Sequence, residues 1–402
     1  MAPLIETSKT TDELYPVVPL RQFYDQVDPE ALRQSITELK GLGRAVRNRV
    51  GHQRIVGSAL FPWHNQTTLW WFEQGLISLM AAAGWEVTWI TDAGYSFDER
   101  LLGSLPGSVE VRRGAEHLAD MGKDGGPVDG VVSLFVEDAT IRMANRLNCP
   151  LVSYSIKNIY RDEATLTELP LSPPVLWHTF AGSRNFLSGT RRVLQPDQWR
   201  LCGAPFPLNR YYLQPTPTES DFEVLIFGSK SRDYPLVLEA CKRAGVSRVA
   251  AVVDEGHVEA TRAMGQEYGF DVHVSEPLSH LDLSAFLQRA EVILNPITPP
   301  AESHYSLSVP LGLGRPIVAS DIPSVQPFVG PGFRVASLDE PDQWAEQMRI
   351  LLNETKQGLP HRPALNQARE RHDVHRFFAS SLMAMLENGG PADHRTADSE
   401  GA

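Results

Sequence analysis

Short apolar runs alternate with amphipathic stretches along most of the chain. The run RIVGSALF (54–61) predicts a buried strand, LWWFEQGLISLMAAAG (69–84) predicts a helix, and WEVTWI (85–90) predicts a second strand. The same order of strand, helix and strand continues at 129–135, 138–148 and 150–156. Strands that alternate with helices form βαβ units, so this half of the sequence predicts a parallel sheet covered by helices on both faces.

A Pro-rich, polar stretch at 203–221 interrupts this order, and the alternation restarts after it. The predicted strands are 222–228, 248–253, 270–275, 291–296 and 315–320, and the predicted helices are 234–245, 257–269, 281–290 and 306–314. The predicted fold class is therefore α/β. It consists of two doubly wound, Rossmann-like parallel-sheet domains in series, whose strand carboxyl ends face each other across a cleft.

The same pattern predicts the domain boundaries. The stretch DPEALRQSITELKGLGRAVRNRV has an Asp-Pro start and helical apolar spacing, so it predicts a helix before the first domain. The last residues are polar and rich in Gly, which predicts a disordered tail. The predicted organisation is an N-terminal helical extension (1–50), a first Rossmann-like domain (51–205), a linker (206–220), a second Rossmann-like domain (221–370), a C-terminal crossing helix (371–387) and a tail (388–402).

Composition narrows the classes of function. The protein has 402 residues, which fits two domains of roughly 100–200 residues each. A formal net charge of −12 argues against a nucleic-acid-binding protein, because such proteins need a basic face to displace phosphate counterions. Three scattered cysteines show neither a disulfide framework nor metal-ligand spacing. The polar N-terminus does not resemble a signal peptide and the apolar run at 76–90 is too short to span a membrane, so we expect a cytoplasmic protein.

The first loop of the second domain, GSKSRDYP (228–235), carries a candidate phosphate site. Gly228 lets a ligand approach the backbone closely, and Lys230 and Arg232 follow within five residues. Two cations at this place can neutralise the charge of a diphosphate leaving group. A solvated turn with surface charges explains the same residues, so the loop alone does not decide between the two interpretations.

The stretch NPITPPAESHYSLSVPLGLGRPIVAS (295–320) places one carboxylate between a buried strand and a helix of small residues. Ser306 and Ser308 are candidate caps of this helix, and the unpaired N–H groups of a helix N-terminus bind phosphate well. Glu302 stands just before the helix and could accept hydrogen bonds from the hydroxyls of a sugar. A surface carboxylate on a loop is the alternative interpretation of Glu302.

With these motifs the second domain resembles that of the retaining glycosyltransferases with the GT-B fold, of the family-four type. The family's Glu, turn, small-residue helix, Gly and Pro-Val-Val-Ala-Ser strand are matched in order by Glu302, 305–308, 309–313, Gly314 and 316–320. The segment 228–245 resembles the family's phosphate-contacting loop, and 275–296 resembles the segment that holds the nucleotide base. The resemblance covers about residues 54–350.

The resemblance implies a hexosyltransferase that moves a sugar from a nucleotide-sugar donor to an unidentified acceptor, with retention of configuration. It implies no cofactor and no metal, because cationic side chains take the place of a metal ion at the diphosphate. It assigns catalytic roles to Glu302, Lys230 and Arg232. It assigns donor contacts to Gly228, Ser229, Tyr305, Ser306, Leu307, Ser308, Pro277 and Leu278.

Candidate acceptor contacts lie in the first domain. The segment 128–156 resembles the family's strand-helix-strand unit that ends at the acceptor site. His64 and Asn65 follow the first predicted strand, and Lys157 and Asn158 stand where the family often carries a His. The expected partners are therefore a nucleotide sugar and an acceptor that is a small molecule or a glycan.

Departures from the family's pattern leave other functions open. The family's second Glu, which binds the nucleotide ribose, is absent, and Val309 and Pro310 occupy its neighbourhood. A glycosyltransferase-like protein that has lost catalysis and serves as a partner subunit would fit this loss. A nucleotide-sugar epimerase is the other alternative, although no persuasive pair of acid and base carboxylates is visible. The basic stretch RNFLSGTRR (184–192) is compatible with peripheral contact with a membrane surface. A solvated, charged face is the simpler explanation of the same residues.

Overall fold

The computed structural model divides the protein into two compact units, Met1–Cys202 together with Val374–Ala402, and Gly203–Asp373. The residues that the structure describes are 29–59, 67–91, 97–114, 116–121, 127–134, 138–155, 175–180, 199–202, 220–228, 231–253, 255–275, 280–299, 305–323, 325–330, 332–357 and 373–388. The predicted domain boundaries at 205 and 370 stay predictions, since both positions lie outside these ranges.

Thirteen strands occur in the described ranges. Those of the first unit are β1 Arg54–Ala59, β2 Glu86–Thr91, β3 Ser108–Arg113, β4 Gly130–Ser133, β5 Leu151–Ser155, β6 Val175–Phe180 and β7 Trp199–Cys202. Those of the second unit are β8 Phe222–Phe227, β9 Val249–Val252, β10 His273–Ser275, β11 Ala290–Asn295, β12 Ile317–Ser320 and β13 Phe333–Ala336. Each unit has one sheet, and the strands pair in parallel throughout.

Eleven α-helices surround these strands in the described ranges. Their bounds are α1 Pro29–Val50, α2 Thr67–Ala82, α3 Glu99–Leu102, α4 His117–Asp120, α5 Asp138–Leu147, α6 Tyr234–Ala244, α7 Val258–Tyr268, α8 His280–Gln288, α9 Tyr305–Gly312, α10 Pro341–Lys356 and α11 Val374–Asn388. No helix in these ranges combines the length and the apolar character that crossing a bilayer requires.

The first unit has a sheet in the order β3-β2-β1-β4-β5-β6-β7. Helix α1 lies outside the βαβ units and buries Leu32, Leu39 and Val46, a stripe with a repeat of seven residues that suits one face of a helix. This helix packs against α2 and α11, and α11 also contacts β5. The first and last helices of the described ranges therefore belong to the same hydrophobic core.

The second unit has a sheet in the order β10-β9-β8-β11-β12-β13. Helix α6 begins at the N-cap Asp233, whose carboxylate accepts a hydrogen bond from the N–H of Leu236 at 3.0 Å. Helices α6 and α10 pack against each other, and the buried Trp344 of α10 belongs to the same core cluster as the strand residues Val224 and Val292. The four central strands β9, β8, β11 and β12 are almost entirely buried on both faces, as a parallel sheet between two helical layers requires.

The two parallel sheets confirm the predicted fold class of two doubly wound α/β domains. Every strand and helix predicted between 222 and 320 is present, with ends that differ by a few residues. The pattern does not predict β3, β6, β7, β13 or α10. In β3, which is the edge strand SVEVRR, no residue is fully buried, so its apolar pattern is weak.

The strand order of the second sheet marks the place where a ligand binds in folds of this kind. The backbone runs from β8 outward to β9 and β10, then crosses back to β11 on the other side of β8. The loops that follow β8 and β11 therefore leave the sheet in opposite directions. Open α/β sheets bind ligands at the carboxyl ends of the strands at this switch point.

Candidate functional site

Gly228 turns the backbone out of the sheet directly after β8. Its φ is 100°, in the left-handed region that glycine adopts without strain. A Cβ at this residue would lie 3.2 Å from the Nε and Nη2 atoms of Arg232, so the guanidinium rests against the bare Cα. The hydroxyl of Tyr234 donates to the carbonyl oxygen of Gly228 at 2.8 Å. The glycine therefore keeps a cation and a phenol close to the end of the strand.

Backbone hydrogen bonds join the two loops at the switch point, and we call this join the backbone seam (231–233 with 296–298). The N–H groups of Thr298 and Asp233 donate to the carbonyl oxygens of Ser231 and Pro296, at 2.9 and 3.0 Å respectively. Arg232 and Ile297 form an antiparallel bridge at the centre of the seam. Ser231 has a φ of 53°, a conformation that few residues other than glycine adopt. The seam holds the Arg232 backbone in one position.

Within the described residues, three hydrogen bonds orient the guanidinium of Arg232. Nε donates to the carbonyl oxygen of Phe227 at 3.3 Å, Nη1 to that of Ser231 at 3.1 Å, and Nη2 to the hydroxyl of Ser306 at 2.8 Å. Burial lowers the pKa of Arg232 to about 10, and the nearby Tyr234 acts to raise it. The guanidinium keeps its positive charge at neutral pH, so the site contains a partly buried cation.

Asn295, the last residue of β11, faces the first turn of α9. It is completely buried, and its Nδ2 donates to the carbonyl oxygen of Ser306 at 2.8 Å and to the hydroxyl of Ser306 at 2.7 Å. The sequence pattern predicts no role for this residue. The signal that could have found it is a polar residue at the end of an otherwise apolar strand, at the edge where ligands bind.

Ser306 is where these contacts meet. The prediction that Ser306 and Ser308 cap the helix is wrong, because α9 already begins at Tyr305. The hydroxyl of Ser306 accepts hydrogen bonds from Arg232 and Asn295 instead of capping the helix from outside. The N–H groups of the first turn add the partial positive charge of a helix N-terminus to that of the guanidinium.

The structure brings together three of the predicted site residues, the catalytic candidate Arg232 and the donor contacts Gly228 and Ser306. Leu307 is 1% exposed, so its side chain belongs to the core and not to an open binding surface. Tyr305 and Ser308 belong to α9, and their side chains are outside what the structure describes. The other predicted site residues lie wholly outside the described ranges, namely Lys230, Ser229, Glu302, Pro277, Leu278, His64, Asn65, Lys157 and Asn158.

Val309 and Pro310 stand near the place of the family's second Glu, and both are buried. This turn of α9 therefore presents no carboxylate to a ribose. Across the described ranges, no group of three or more His, Cys, Asp or Glu side chains is arranged as metal ligands would be. The described part of the site is cationic, and a guanidinium beside a helix N-terminus is suited to an anion such as phosphate.

Comparisons with known proteins identify the fold. No protein-family model matches the sequence, and no curated protein matches it. The protein is similar to HepE from Anabaena, solved with UDP and glucose, at 12% identity over 84% of this chain and 100% of HepE, with a TM-score of 0.57. It is also similar to a glycosyltransferase from Rickettsia africae, at 10% identity over 84% of this chain and 98% of that protein, with a TM-score of 0.61.

A third similar structure is a Listeria monocytogenes protein assigned as a UDP-N-acetylglucosamine 2-epimerase. Its identity is 11%, over 84% of this chain and 96% of that protein, with a TM-score of 0.51. At such identities the likeness shows the fold and not the activity. The protein has the GT-B fold, as the resemblance in the sequence predicts.

Proposed function

We propose that the protein is a glycosyltransferase that moves a sugar from a nucleotide-sugar donor to an acceptor. The observation that carries the proposal is the partly buried guanidinium of Arg232, hydrogen-bonded to Ser306 at the start of α9. Both groups lie at the switch point of the second sheet, where open α/β sheets bind their ligands. A guanidinium and a helix N-terminus are both good partners for phosphate. HepE, which has the same fold, was solved with UDP bound.

In the proposed reaction the nucleoside diphosphate is the leaving group. Arg232 and the N–H groups at the start of α9 stabilise the negative charge that develops on it, and Lys230 adds a second cation. Each charge-assisted contact contributes about 1.5–3 kcal/mol. Glu302 orients the donor sugar through its hydroxyls. The remaining donor contacts are proposed at Gly228, Ser229, Tyr305, Leu307, Ser308, Pro277 and Leu278.

The finer features of the proposal come from the family resemblance. The transferred sugar is a hexose, the reaction proceeds with retention of configuration, and the cations replace a metal ion, so that no cofactor is needed. His64, Asn65, Lys157 and Asn158 are proposed to face the acceptor. We further propose that the protein works in the cytoplasm.

Donor binding tests the proposal. The full-length protein is screened by thermal shift against UDP-, GDP-, ADP- and dTDP-glucose, because a ligand that binds the folded state raises the melting temperature. The tightest donor is then titrated by calorimetry into wild type and Arg232→Ala. We expect the variant to bind about ten- to a hundred-fold more weakly, since a hydrogen bond to a charged group contributes roughly 1.5–3 kcal/mol.

Arg248→Ala is the matched control. Arg248 is also a cation of the second unit, but it precedes β9 at the amino edge of the sheet, where it donates to the carbonyl oxygen of Asp221 at 2.9 Å. Its removal should leave donor binding unchanged. Equal binding by wild type and Arg232→Ala would show that the diphosphate does not occupy this site.

The alternatives are separated by the fate of the bound donor. An epimerase, which is the activity assigned to the similar Listeria protein, converts the nucleotide sugar without any acceptor. A partner subunit without catalytic activity leaves the donor unchanged under all conditions, in keeping with Val309 and Pro310 at the place of the second Glu. A transferase releases the nucleoside diphosphate only as an acceptor is glycosylated.

A further inference from the structure

One carbonyl group in the first turn of α9 lacks the backbone N–H that would donate to it in a regular helix. In an α-helix the carbonyl of residue i accepts a hydrogen bond from the N–H of residue i+4. For Ser306 that residue is Pro310, which lies inside the helix and has no N–H. The proline ring also crowds the carbonyl four residues before it. The Ser306 carbonyl therefore needs a donor from outside the helix.

Asn295 supplies that donor. Its Nδ2 carries two hydrogens, and it bonds the carbonyl oxygen of Ser306 at 2.8 Å and the hydroxyl oxygen of Ser306 at 2.7 Å. The backbone and the side chain of Ser306 are thus held by a single amide. The hydroxyl also accepts from Nη2 of Arg232 at 2.8 Å, so these two bonds use both lone pairs of that oxygen.

We propose, resting on the function proposed above, that Asn295 is a positioning residue for the donor phosphate. It replaces the backbone donor that Pro310 removes, fixes Ser306 in the first turn of α9, and through Ser306 fixes the guanidinium of Arg232. Asn295 itself does not touch the donor. Its effect on binding comes from the order that it gives to the two groups that do.

The unused oxygen of Asn295 supports this role. Its Oδ1 is buried and has no hydrogen-bond partner among the described residues. An unpaired acceptor in the interior lowers the stability of the folded protein. By itself, the unpaired Oδ1 of Asn295 therefore lowers the free energy of unfolding. What offsets that cost is the pair of bonds that its amide nitrogen donates to Ser306.

Nucleotide affinity tests the positioning role. The probe is whichever of UDP, GDP, ADP and dTDP the full-length wild type binds most tightly by calorimetry. We expect Asn295→Ala to weaken its binding about ten-fold, as the loss of one or two hydrogen bonds of ordinary strength would. Val292→Ala is the matched control, because it removes buried methyl groups from the same strand and no bond to Ser306. Its dissociation constant should stay within about two-fold of wild type.

Double mutants separate positioning from a general loss of structure. In the Arg232→Ala background, Asn295→Ala should weaken binding by less than it does in wild type, because one of the two groups that it positions is gone. Pro310→Ala restores the N–H that the Ser306 carbonyl lacks. In that background we expect Asn295→Ala to weaken binding by less than about three-fold, whereas Val292→Ala should have the same effect in every background.

The outcomes distinguish this inference from the function on which it rests. Equal affinities of Asn295→Ala and Val292→Ala, with binding weakened in Arg232→Ala, would overturn the positioning role and leave the proposed function standing. Wild type that binds none of the four nucleotides would overturn both. Should Asn295→Ala fail to fold, Ser306→Ala removes only the shared hydroxyl, and unchanged affinity in that variant would refute the positioning role.

Discussion

Glu73 of α2 is buried beside β2, where its Oε1 accepts a hydrogen bond from the indole N–H of Trp89 at 2.9 Å. Burial raises the pKa of Glu73 from an ordinary value of 4.5 to about 8, and the hydrogen bonds from Trp89 and Thr91 offset only part of that effect. The carboxyl is therefore protonated in the folded protein at neutral pH. In the unfolded protein it is ionised.

This difference makes the stability of the first unit depend on pH. Below pH 4.5 the carboxyl is protonated in both states. Between 4.5 and about 8 unfolding releases a proton, so the free energy of unfolding falls as the pH rises. Above about 8 the folded state ionises too, and the decline stops.

Glu73→Gln is expected to remove this decline, which amounts to at most roughly 1.4 kcal/mol per pH unit. The amide oxygen can still accept from Trp89, and the side chain no longer titrates. Urea unfolding across this pH range measures the free energy of unfolding of the variant and of wild type. Glu99→Gln, which replaces an exposed carboxyl of the same unit, is the control and should follow wild type. Parallel curves for wild type and Glu73→Gln would contradict the prediction.

At the residue scale the sequence predicts only part of the candidate site. Gly228 and Arg232 can be predicted from the sequence, because a glycine after an apolar strand lets a ligand approach the backbone and a nearby cation can neutralise a phosphate. The role of Asn295 is not visible, because it depends on a carbonyl in another element, left without a donor by Pro310. Such a relation exists only once strand and helix are folded together.

At the scale of elements, the packing of α1 on α2 depends on one glycine. A Cβ on Gly43 would lie 2.3 Å from the carbonyl carbon and the carbonyl oxygen of Ala82 and 2.6 Å from the backbone nitrogen of Ala83. The backbones of the two helices therefore touch at this point. Any larger residue at position 43 would force them apart, because backbone atoms cannot move aside as the end of a flexible side group does.

Gly43→Ala is expected to lower the free energy of unfolding by about 1–3 kcal/mol, the usual effect of overpacking. Gly41→Ala is the control in the same helix, since no heavy atom of the described residues lies within 4 Å of the place that its Cβ would take. That variant should gain about 0.5–1 kcal/mol from the higher helix propensity of alanine. Chemical denaturation compares the two, and a loss of equal size in both would refute the close approach.

The elements themselves divide into those that a local pattern can reveal and those that it cannot. Strand β11 is an apolar run that needs no context to be recognised. Strand β3, SVEVRR, has one partly buried and one exposed valine at the sheet edge, and its pairing with β2 fixes it as a strand. In strand β13, Phe333–Ala336, the partly buried Arg334 interrupts the apolar run, so the local pattern does not mark a strand. Pairing with a strand far away in the sequence makes these segments strands, and such pairing cannot be recognised from the local sequence.

At the scale of the whole molecule, the last described helix completes the first unit. The hydroxyl groups of Tyr154 in β5 and Ser381 in α11 are hydrogen-bonded to each other, and the Nε2 of His375 lies 3.1 Å from the hydroxyl oxygen of Ser78 in α2. The ring of Phe378 packs edge-on against that of Tyr154, with centroids 4.8 Å apart. Helix α11 is thus part of a core formed mostly by residues far away in the sequence.

Ending the protein after Asp373 is expected to destabilise the first unit and spare the second. The truncation removes α11, whose buried residues include Phe378 and Leu382, while the second unit keeps its full sequence, Gly203–Asp373. Calorimetric unfolding should show one transition at a lower temperature and one unchanged. Nucleotide binding at Arg232 should persist where the second unit stays folded. Transitions that both move by the same amount would contradict this division.

The backbone seam has a consequence for how the sequence of this protein can vary. It joins 231–233 to 296–298 through N–H and carbonyl groups, which every residue except proline possesses in full. A replacement at one of these positions changes the side chain but keeps the backbone atoms that form the hydrogen bonds. Ser231, with its φ of 53°, is the position that accepts the narrowest range of residue types. Residues on both sides can therefore diverge through evolution while the turn that aims Arg232 keeps its shape.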